Sequence, residues 1–167
     1  MRKLVIAFVV AALASAAAIA SPGAAAQTQL KVKVIAFTGI YKGQATTQAA
    51  DTNVTINANG TGKGTFLGAG KIVGVGTADS SKRPCVPFTG TGKITGPAGT
   101  IIFKVNPSSS GCGDDAGQIF SITGKAAILK GSAKLYKSKG AVLKMTGTYD
   151  RSSGAFSVKF TGKLTVV

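Results

Sequence analysis

Strict alternation of apolar and polar residues at the end of the chain is the feature that most constrains its fold. From residue 156 to residue 166, every second residue is Phe, Val, Leu or Gly, and the residues between them are Ser, Thr or Lys. Side chains of a β-strand point alternately to the two faces of a sheet, so this pattern predicts a strand with one buried and one solvated face. A second alternating run, residues 141–149, precedes the turn-forming residues 150–154, and the pair predicts a β-hairpin.

The same strand-like pattern recurs through the chain, and no segment has the period of an amphipathic helix. Gly-rich segments separate the runs; residues 60–64 (GTGKG) are predicted to be a hairpin turn, and residues 106–117 a loop. The sequence therefore predicts an all-β domain, an antiparallel barrel of about eight strands, with a β-sandwich as the alternative. The further predicted strands are residues 30–37, 52–58, 71–77, 86–94, 100–105 and 118–129.

A short repeat, an apolar residue followed by Thr and Gly, favours the barrel over the sandwich. Each glycine has the same parity as the apolar residue, so it is predicted to face the interior. Glycine weakens a strand, and its recurrence at inward positions is expected where strands bend at barrel corners or leave room inside. A composition rich in Thr and Gly would also produce such triplets. They occur at residues 37–39, 88–90, 94–96, 122–124, 145–147 and 160–162.

Residues 1–26 are predicted to be a secretory signal peptide. Arg2 and Lys3 precede an apolar, Ala-rich helical run over residues 4–20, and small residues that suit a signal peptidase end at Ala20 and at Ala26. A transmembrane anchor is the alternative, but the run is barely long enough to cross about 30 Å of hydrocarbon. Cleavage is expected after Ala26, with Ala20 as the other site. It would leave residues 27–167 as a single domain that is secreted or held in the cell envelope.

The charge of this domain is strongly positive. Residues 27–167 carry 18 basic and five acidic side chains, a net charge of +13, and 16 of the basic residues are lysine. The lysine excess indicates either an anionic partner, such as a cell-wall polymer or a lipid surface, or a solvated coat that keeps strand edges from pairing. The absence of Glu suits a β-protein, because strands disfavour that residue.

Cys85 and Cys112 are the two cysteines of the chain, and in an exported protein they predict a disulfide. The alternative is a nucleophilic or metal-binding thiol. That alternative lacks a histidine to serve as base or second ligand, because the chain has none.

The absence of histidine and glutamate excludes most catalytic and metal sites. Triads that use histidine cannot form, nor can histidine-ligated metal centres. A glycosidase needs two carboxylates that flank the bond, and the single adjacent pair is Asp114 and Asp115. These two are a weak candidate site for Ca²⁺, which usually takes more carboxylates than this loop offers. We therefore expect a polar turn there, no cofactor and no enzymatic activity.

A local cluster of lysines is the candidate contact site for anionic material, and a solvated loop is the alternative. Nucleic acid is not an expected partner, because arginine is scarce and most aromatic residues have the inward parity of strands. Tyr41 and Tyr136 are the aromatic residues predicted to lie in loops. The cluster comprises Lys130, Lys134, Tyr136, Lys137 and Lys139.

Residues 131–140 (GSAKLYKSKG), followed by TGTYD at 146–150 and GAF at 154–156, resemble a segment of dirigent proteins and allene oxide cyclase-like barrels. Small exported actinobacterial β-barrel proteins of unknown function share this segment. The family has glycines in place of Ala133 and Lys137, and an aromatic residue in place of Leu135. The resemblance covers residues 122–167. It implies an eight-stranded antiparallel barrel whose interior can hold a small apolar molecule, and it transfers no catalytic residue.

Two functions follow as expectations. The first is an exported, non-enzymatic domain that associates electrostatically with anionic envelope or extracellular material. The alternative is a dirigent-like barrel that binds a small apolar ligand in its interior. An enzyme that uses lysine, tyrosine or aspartate as acid and base is a weaker third, and a cleft with a buried lysine beside Tyr149 or an aspartate would favour it.

Overall fold

Antiparallel strands form nearly all of the structure, a computed structural model that describes residues 31–167. The predicted signal peptide, residues 1–26, lies outside the described residues. A 3₁₀ helix, Ala133–Ser138, connects two of the strands. The strands are β1 (Lys33–Ala50), β2 (Asn53–Gly64), β3 (Gly68–Asp79), β4 (Cys85–Gly96), β5 (Gly99–Val105), β6 (Ser110–Gly113), β7 (Ile119–Gly131), β8 (Val142–Asp150) and β9 (Ala155–Val166).

Eight of the strands close into a barrel. Around the ring the order is β1, β2, β3, β4, β5, β7, β8 and β9, and β9 pairs back onto β1 with Lys33 opposite Val166. Every neighbouring pair is antiparallel. The predicted antiparallel barrel is confirmed, and the sandwich alternative is excluded because one ring of strands encloses the core.

The ninth strand, β6, follows the line of β5 after a bulge. Val105 lies opposite Gly90 of β4, and Ser110 lies opposite Pro87 of the same strand. β6 also pairs with β7, so β5 and β6 together occupy the place between β4 and β7. The prediction of a loop over residues 106–117 is therefore wrong in part, because a short strand lies within it.

Ser109 stabilises this bulge from inside the barrel. Its side chain is fully buried, and its Oγ accepts a hydrogen bond from the backbone N–H of Lys125 at 3.2 Å. A Cβ on Gly124 would collide with that side chain. The predicted inward glycine of the triplet at residues 122–124 thus makes room for Ser109, which directly precedes β6.

Two further predictions about the first strands are corrected. β1 runs from Lys33 to Ala50, far beyond the predicted end at residue 37, and Tyr41 is a buried residue of this strand and not of a loop. Residues 60–64 belong to β2 and pair with both of its neighbours. A Cβ on Gly60 would meet the backbone of Lys42, so this glycine permits close approach of two strands and does not form a turn.

The two ends of the barrel differ. At the closed end the 3₁₀ helix inserts Leu135, which is fully buried, and Ser138 Oγ donates a hydrogen bond to the carbonyl of Thr165 at 2.8 Å. Large side chains fill this half of the interior. The large buried residues include Phe37, Tyr41, Leu67, Ile94, Ile101, Leu143 and Leu164.

None of the helices within residues 31–167 has the length and apolar character needed to cross a membrane.

The opposite end, called the open end below, is formed by the connections that join β1 to β2, β3 to β4, β6 to β7 and β8 to β9. Because adjacent strands run in opposite directions, all four connections lie on the same side of the barrel.

Candidate functional site

A cavity of about 300 Å³ occupies the open half of the barrel interior. Residues near the open-end connections, among them Ala49, Ser80 and Arg83, line its mouth. Phe103 and Phe160 line its inner end, where their ring centroids are 5.3 Å apart. The cavity therefore extends from the open-end rim to the aromatic core, and this end of the barrel is hollow.

Small inward residues on three adjacent strands create this space. Along β1 the inward positions change from Phe37 and Tyr41 in the closed half to Ala45 in the open half. On β3, Ile72 is followed on the same face by Gly74. A barrel of eight strands is just wide enough for ordinary side chains to fill, so a run of small side chains leaves it hollow. The small wall residues are Ala45, Ala49, Ala58, Gly74, Gly76 and Ala78.

The opposite wall of the cavity is aromatic and aliphatic. Phe120 and Tyr149 lie on neighbouring strands with their ring centroids 6.4 Å apart, and both line the cavity. Phe88, Ile122 and Phe156 also line it and are only partly buried. Apolar side chains that remain partly exposed inside a cavity gain burial when an apolar molecule enters.

Charged groups are scarce in the cavity wall. Arg83, between β3 and β4, and Arg151, between β8 and β9, are the charged residues among those that line it. No lysine and no aspartate is among the lining residues. A buried lysine beside Tyr149 or an aspartate, either of which would favour an enzyme, is not among the residues that line this cavity.

The aspartates nearest in sequence to the two arginines, Asp79 and Asp150, are held within their own turns. Asp150 accepts hydrogen bonds from Ser152 Oγ at 2.6 Å and from Ser153 Oγ at 2.7 Å. Hydrogen bonds from the Ser152 and Ser153 side chains, together with backbone N–H groups, lower the pKa of Asp150 to about 2. Asp79 is similar, because the side chain and backbone N–H of Ser81 lower its pKa.

The predicted disulfide is present on the outer surface of the open half. Cys85 of β4 lies directly opposite Cys112 of β6, and their sulfur atoms are bonded. Cys85 follows closely after Arg83, so the disulfide fixes β6 to the strand that begins beside the cavity mouth. Neither cysteine is free, so the oxidised protein has no thiol from these residues that could act as a nucleophile or bind a metal.

Asp114 and Asp115, the weak calcium candidates, lie in the connection between β6 and β7. Asp114 Oδ1 accepts hydrogen bonds from the backbone N–H groups of Gln118 at 2.8 Å and Ile119 at 3.2 Å, so this carboxylate closes the turn. Across residues 31–167, no three His, Cys, Asp or Glu side chains come together in a group that could hold a metal ion.

The predicted lysine cluster lies at the closed end, opposite to the cavity mouth. Lys130 is the second-last residue of β7. Lys134, Tyr136 and Lys137 belong to the 3₁₀ helix, and Lys139 follows it directly. Lys137 Nζ lies 5.2 Å from the centre of the Tyr136 ring, and Tyr136 is exposed. The five predicted residues are therefore exposed near one another at the closed end. The buried Leu135 anchors the 3₁₀ helix among them.

Acidic and basic residues separate along the barrel axis. All five aspartates of the chain lie in or beside the open-end connections, whereas the closed end has lysines and no acid. Of the lysines in residues 31–167, only Lys82 lies in an open-end connection. The aspartates are Asp51, Asp79, Asp114, Asp115 and Asp150.

Sequence reasoning gave a hollow interior as an expectation, but it did not identify which end is hollow, the two arginines at the mouth or the burial of Tyr41. The sequence signal for the cavity was the run of alanine and glycine at inward positions of the first three strands. The chain is rich in glycine throughout, so this run did not stand out.

When the chain was compared with protein-family models, with curated proteins and with solved structures, no significant match was found.

Proposed function

We propose that this protein is an exported, non-enzymatic barrel that binds a small apolar molecule in the cavity of its open half. The observation that carries the proposal is the cavity of about 300 Å³ between a wall of small residues and a wall of aromatic ones. A cavity of about 150 Å³ lined by apolar side chains can hold benzene. This one has room for a body of about twice that size, such as two fused rings or a chain of about ten carbon atoms.

Binding is favoured over catalysis because of the chemistry of the cavity wall. Two arginines and Tyr149 are the ionisable side chains that line it, and no carboxylate, histidine or lysine is among the lining residues to serve as a general base. The resemblance of residues 131–140 to dirigent-type barrels agrees with a ligand-holding interior. The disulfide is consistent with an oxidising compartment outside the cytoplasm.

A fluorescence titration with a neutral probe tests the proposal. 1-Naphthylamine, a neutral probe of two fused rings whose emission shifts to shorter wavelength in apolar surroundings, is titrated into the purified protein. We expect saturable binding of one molecule per barrel, with an emission shift to shorter wavelength. The absence of a saturable signal, or a linear rise that reflects partition onto the surface, would contradict the proposal.

A second function, association with an anionic wall polymer or lipid surface, is supported by the separation of charge. The closed end presents Lys130, Lys134, Lys137 and Lys139 around an exposed tyrosine with no aspartate nearby, so its positive potential is not neutralised locally. A molecule bound there by its closed end would leave the cavity mouth facing away from the surface. The two functions are therefore compatible.

Retention on anionic vesicles or wall polymer across a salt series tests this second function. Screening weakens contacts between exposed charges, so retention should fall as salt rises. Changing the four closed-end lysines to Gln should abolish retention. A matched variant with Gln at four strand lysines (Lys42, Lys93, Lys104 and Lys159) has the same net charge and should retain most of it. Equal loss in both variants would show that net charge alone is responsible and would overturn the site.

A further inference from the structure

Both arginines of residues 31–167 line the mouth of the same cavity. Arg83 and Arg151 are the two arginines in this part of the chain, and 16 lysines share it with them. None of those lysines lines the cavity. Both arginines of the described residues therefore line the apolar cavity inside the barrel, whereas the lysines lie elsewhere on the surface.

The two arginines approach the cavity from opposite sides of the rim. Arg83 lies in the connection between β3 and β4, and Arg151 lies in the turn between β8 and β9. In the ring of eight strands these two connections are separated by half of the circumference. The two arginines therefore lie on opposite sides of the cavity mouth.

The nearest acids do not explain the positions of these arginines. The Asp150 carboxylate, adjacent to Arg151, accepts its hydrogen bonds from Ser152 and Ser153. The Asp79 carboxylate accepts hydrogen bonds from Ser81, and neither aspartate lines the cavity. Because both carboxylates are held in their own turns, the charge that faces the cavity interior is positive even though the open end carries all five aspartates.

We propose that the ligand is an amphipathic anion whose apolar body fills the cavity and whose carboxylate, sulfate or phosphate group is bound at the mouth by Arg83 and Arg151. This inference rests on the proposed function and specifies its ligand class. Arginine matches this role because its planar guanidinium presents a fork of N–H donors to an oxyanion, whereas lysine offers a point charge. The aromatic wall and the small-residue wall accommodate the apolar body, and the rim orients the ligand with its charged group towards solvent.

Three ten-carbon probes that differ only in the head group test the proposal. Decanoate, decanol and decylamine are each used, below their micelle concentrations, to displace the neutral naphthylamine probe. We expect decanoate to bind about tenfold more tightly than decanol, the size of effect that charge-assisted hydrogen bonds at an exposed rim provide. Decylamine should bind more weakly than decanol, because its ammonium group would lie between two guanidinium groups.

Paired variants assign the preference to the two arginines. In Arg83→Gln/Arg151→Gln, decanoate should bind no better than decanol, and saturable binding of decanol would show that the cavity is still formed. Lys82→Gln is the matched control, because Lys82 is in the same connection as Arg83 but does not line the cavity. It should keep the full preference for decanoate.

The outcomes separate this inference from the function on which it rests. Equal affinity for all three probes, or a preference that survives loss of both arginines, would overturn the anionic head group while the apolar cavity function stands. A failure of all three probes and of the naphthylamine to bind would overturn both.

Discussion

Ala58 lies directly opposite Gly74 in the ladder between β2 and β3, and both residues line the cavity. A Cβ on Gly74 would have no neighbour closer than the Thr91 carbonyl oxygen at 3.4 Å, which is ordinary van der Waals contact. Close backbone packing therefore does not require glycine at this position. The pair instead leaves only small side chains on this part of the cavity wall. A larger side chain at either position would directly reduce the cavity volume.

Ala58→Leu is expected to fill part of the cavity. The larger side chain adds three carbon atoms on the inward face of β2, where they occupy space that the ligand would use. We expect affinity for the neutral naphthylamine probe to fall about tenfold or more, with folding stability unchanged or raised because apolar surface is buried. Fluorescence titration and urea unfolding measure the two effects.

Val142→Leu provides the control for that substitution. Val142 lies on β8, is 53% exposed and does not line the cavity, so its enlargement should leave probe affinity unchanged. If Ala58→Leu bound the probe as tightly as the unmodified protein does, the probe would have to bind elsewhere.

Removal of the disulfide should destabilise the fold without abolishing it. Cys85 and Cys112 are 27 residues apart in sequence, and in the chain-entropy model a loop of that size contributes about 3–4 kcal/mol by restricting the unfolded chain. Urea unfolding of Cys85→Ala/Cys112→Ala should show a loss of this size. Reduced wild-type protein should match the double variant; equal midpoints for oxidised and reduced protein would contradict the prediction.

Local patterns along the chain were sufficient to predict the barrel. The β8–β9 hairpin was evident because alternation over residues 156–166 has one interpretation, and residues 150–154 are turn-forming. The predicted turn at residues 60–64 was wrong because Asn59-Gly60 is a strong local turn signal that contacts with the neighbouring strands override. Glycine is needed there by the proximity of the Lys42 backbone, a long-range contact that composition does not reveal.

The candidate site was less accessible to sequence reasoning than the fold. A cavity results from side chains that are missing at positions far apart in the chain, and Ala45, Ala58 and Gly74 become one wall only through the register of β1, β2 and β3. Similarly, Arg83 and Arg151 are separated by 68 positions of sequence and share a rim only because alternate connections lie at the same end of the barrel.

Asp150 is expected to stabilise the β8–β9 turn in a pH-dependent manner. Its pKa of about 2 in the folded protein is below the usual 3.8, so its contribution is present above about pH 4 and is lost as the pH falls towards 2. Asp150→Asn should lower the thermal midpoint at neutral pH, and the difference from wild type should shrink over this acid range. A difference that does not change with pH would show that the charged form has no role.

Tyr41→Phe is expected to leave the protein as stable as before or to raise its stability by up to about 1 kcal/mol. The Tyr41 side chain is fully buried, and its hydroxyl has no hydrogen-bond partner among residues 31–167. The ring packs against Phe160, with centroids 6.3 Å apart, and phenylalanine preserves that contact. Urea unfolding measures the change. A loss of more than about 1 kcal/mol would mean that the hydroxyl is bound by a group inside the core.

The same residue should make the folded protein sensitive to alkaline pH. Burial raises the pKa of Tyr41 to about 12, above the ordinary value of 10.0, because the charged phenolate is poorly solvated in the core. A raised pKa stabilises the folded state fully below pH 10, and this contribution is lost as the pH rises to about 12, by up to about 1.4 kcal/mol per pH unit. Lysines also lose their charge in this range, so the informative quantity is the stability of wild type relative to Tyr41→Phe at each pH. We expect that relative stability to fall steadily above pH 10, together with delayed appearance of one tyrosinate absorbance. A constant difference would show that the phenol is accessible to solvent in the folded barrel.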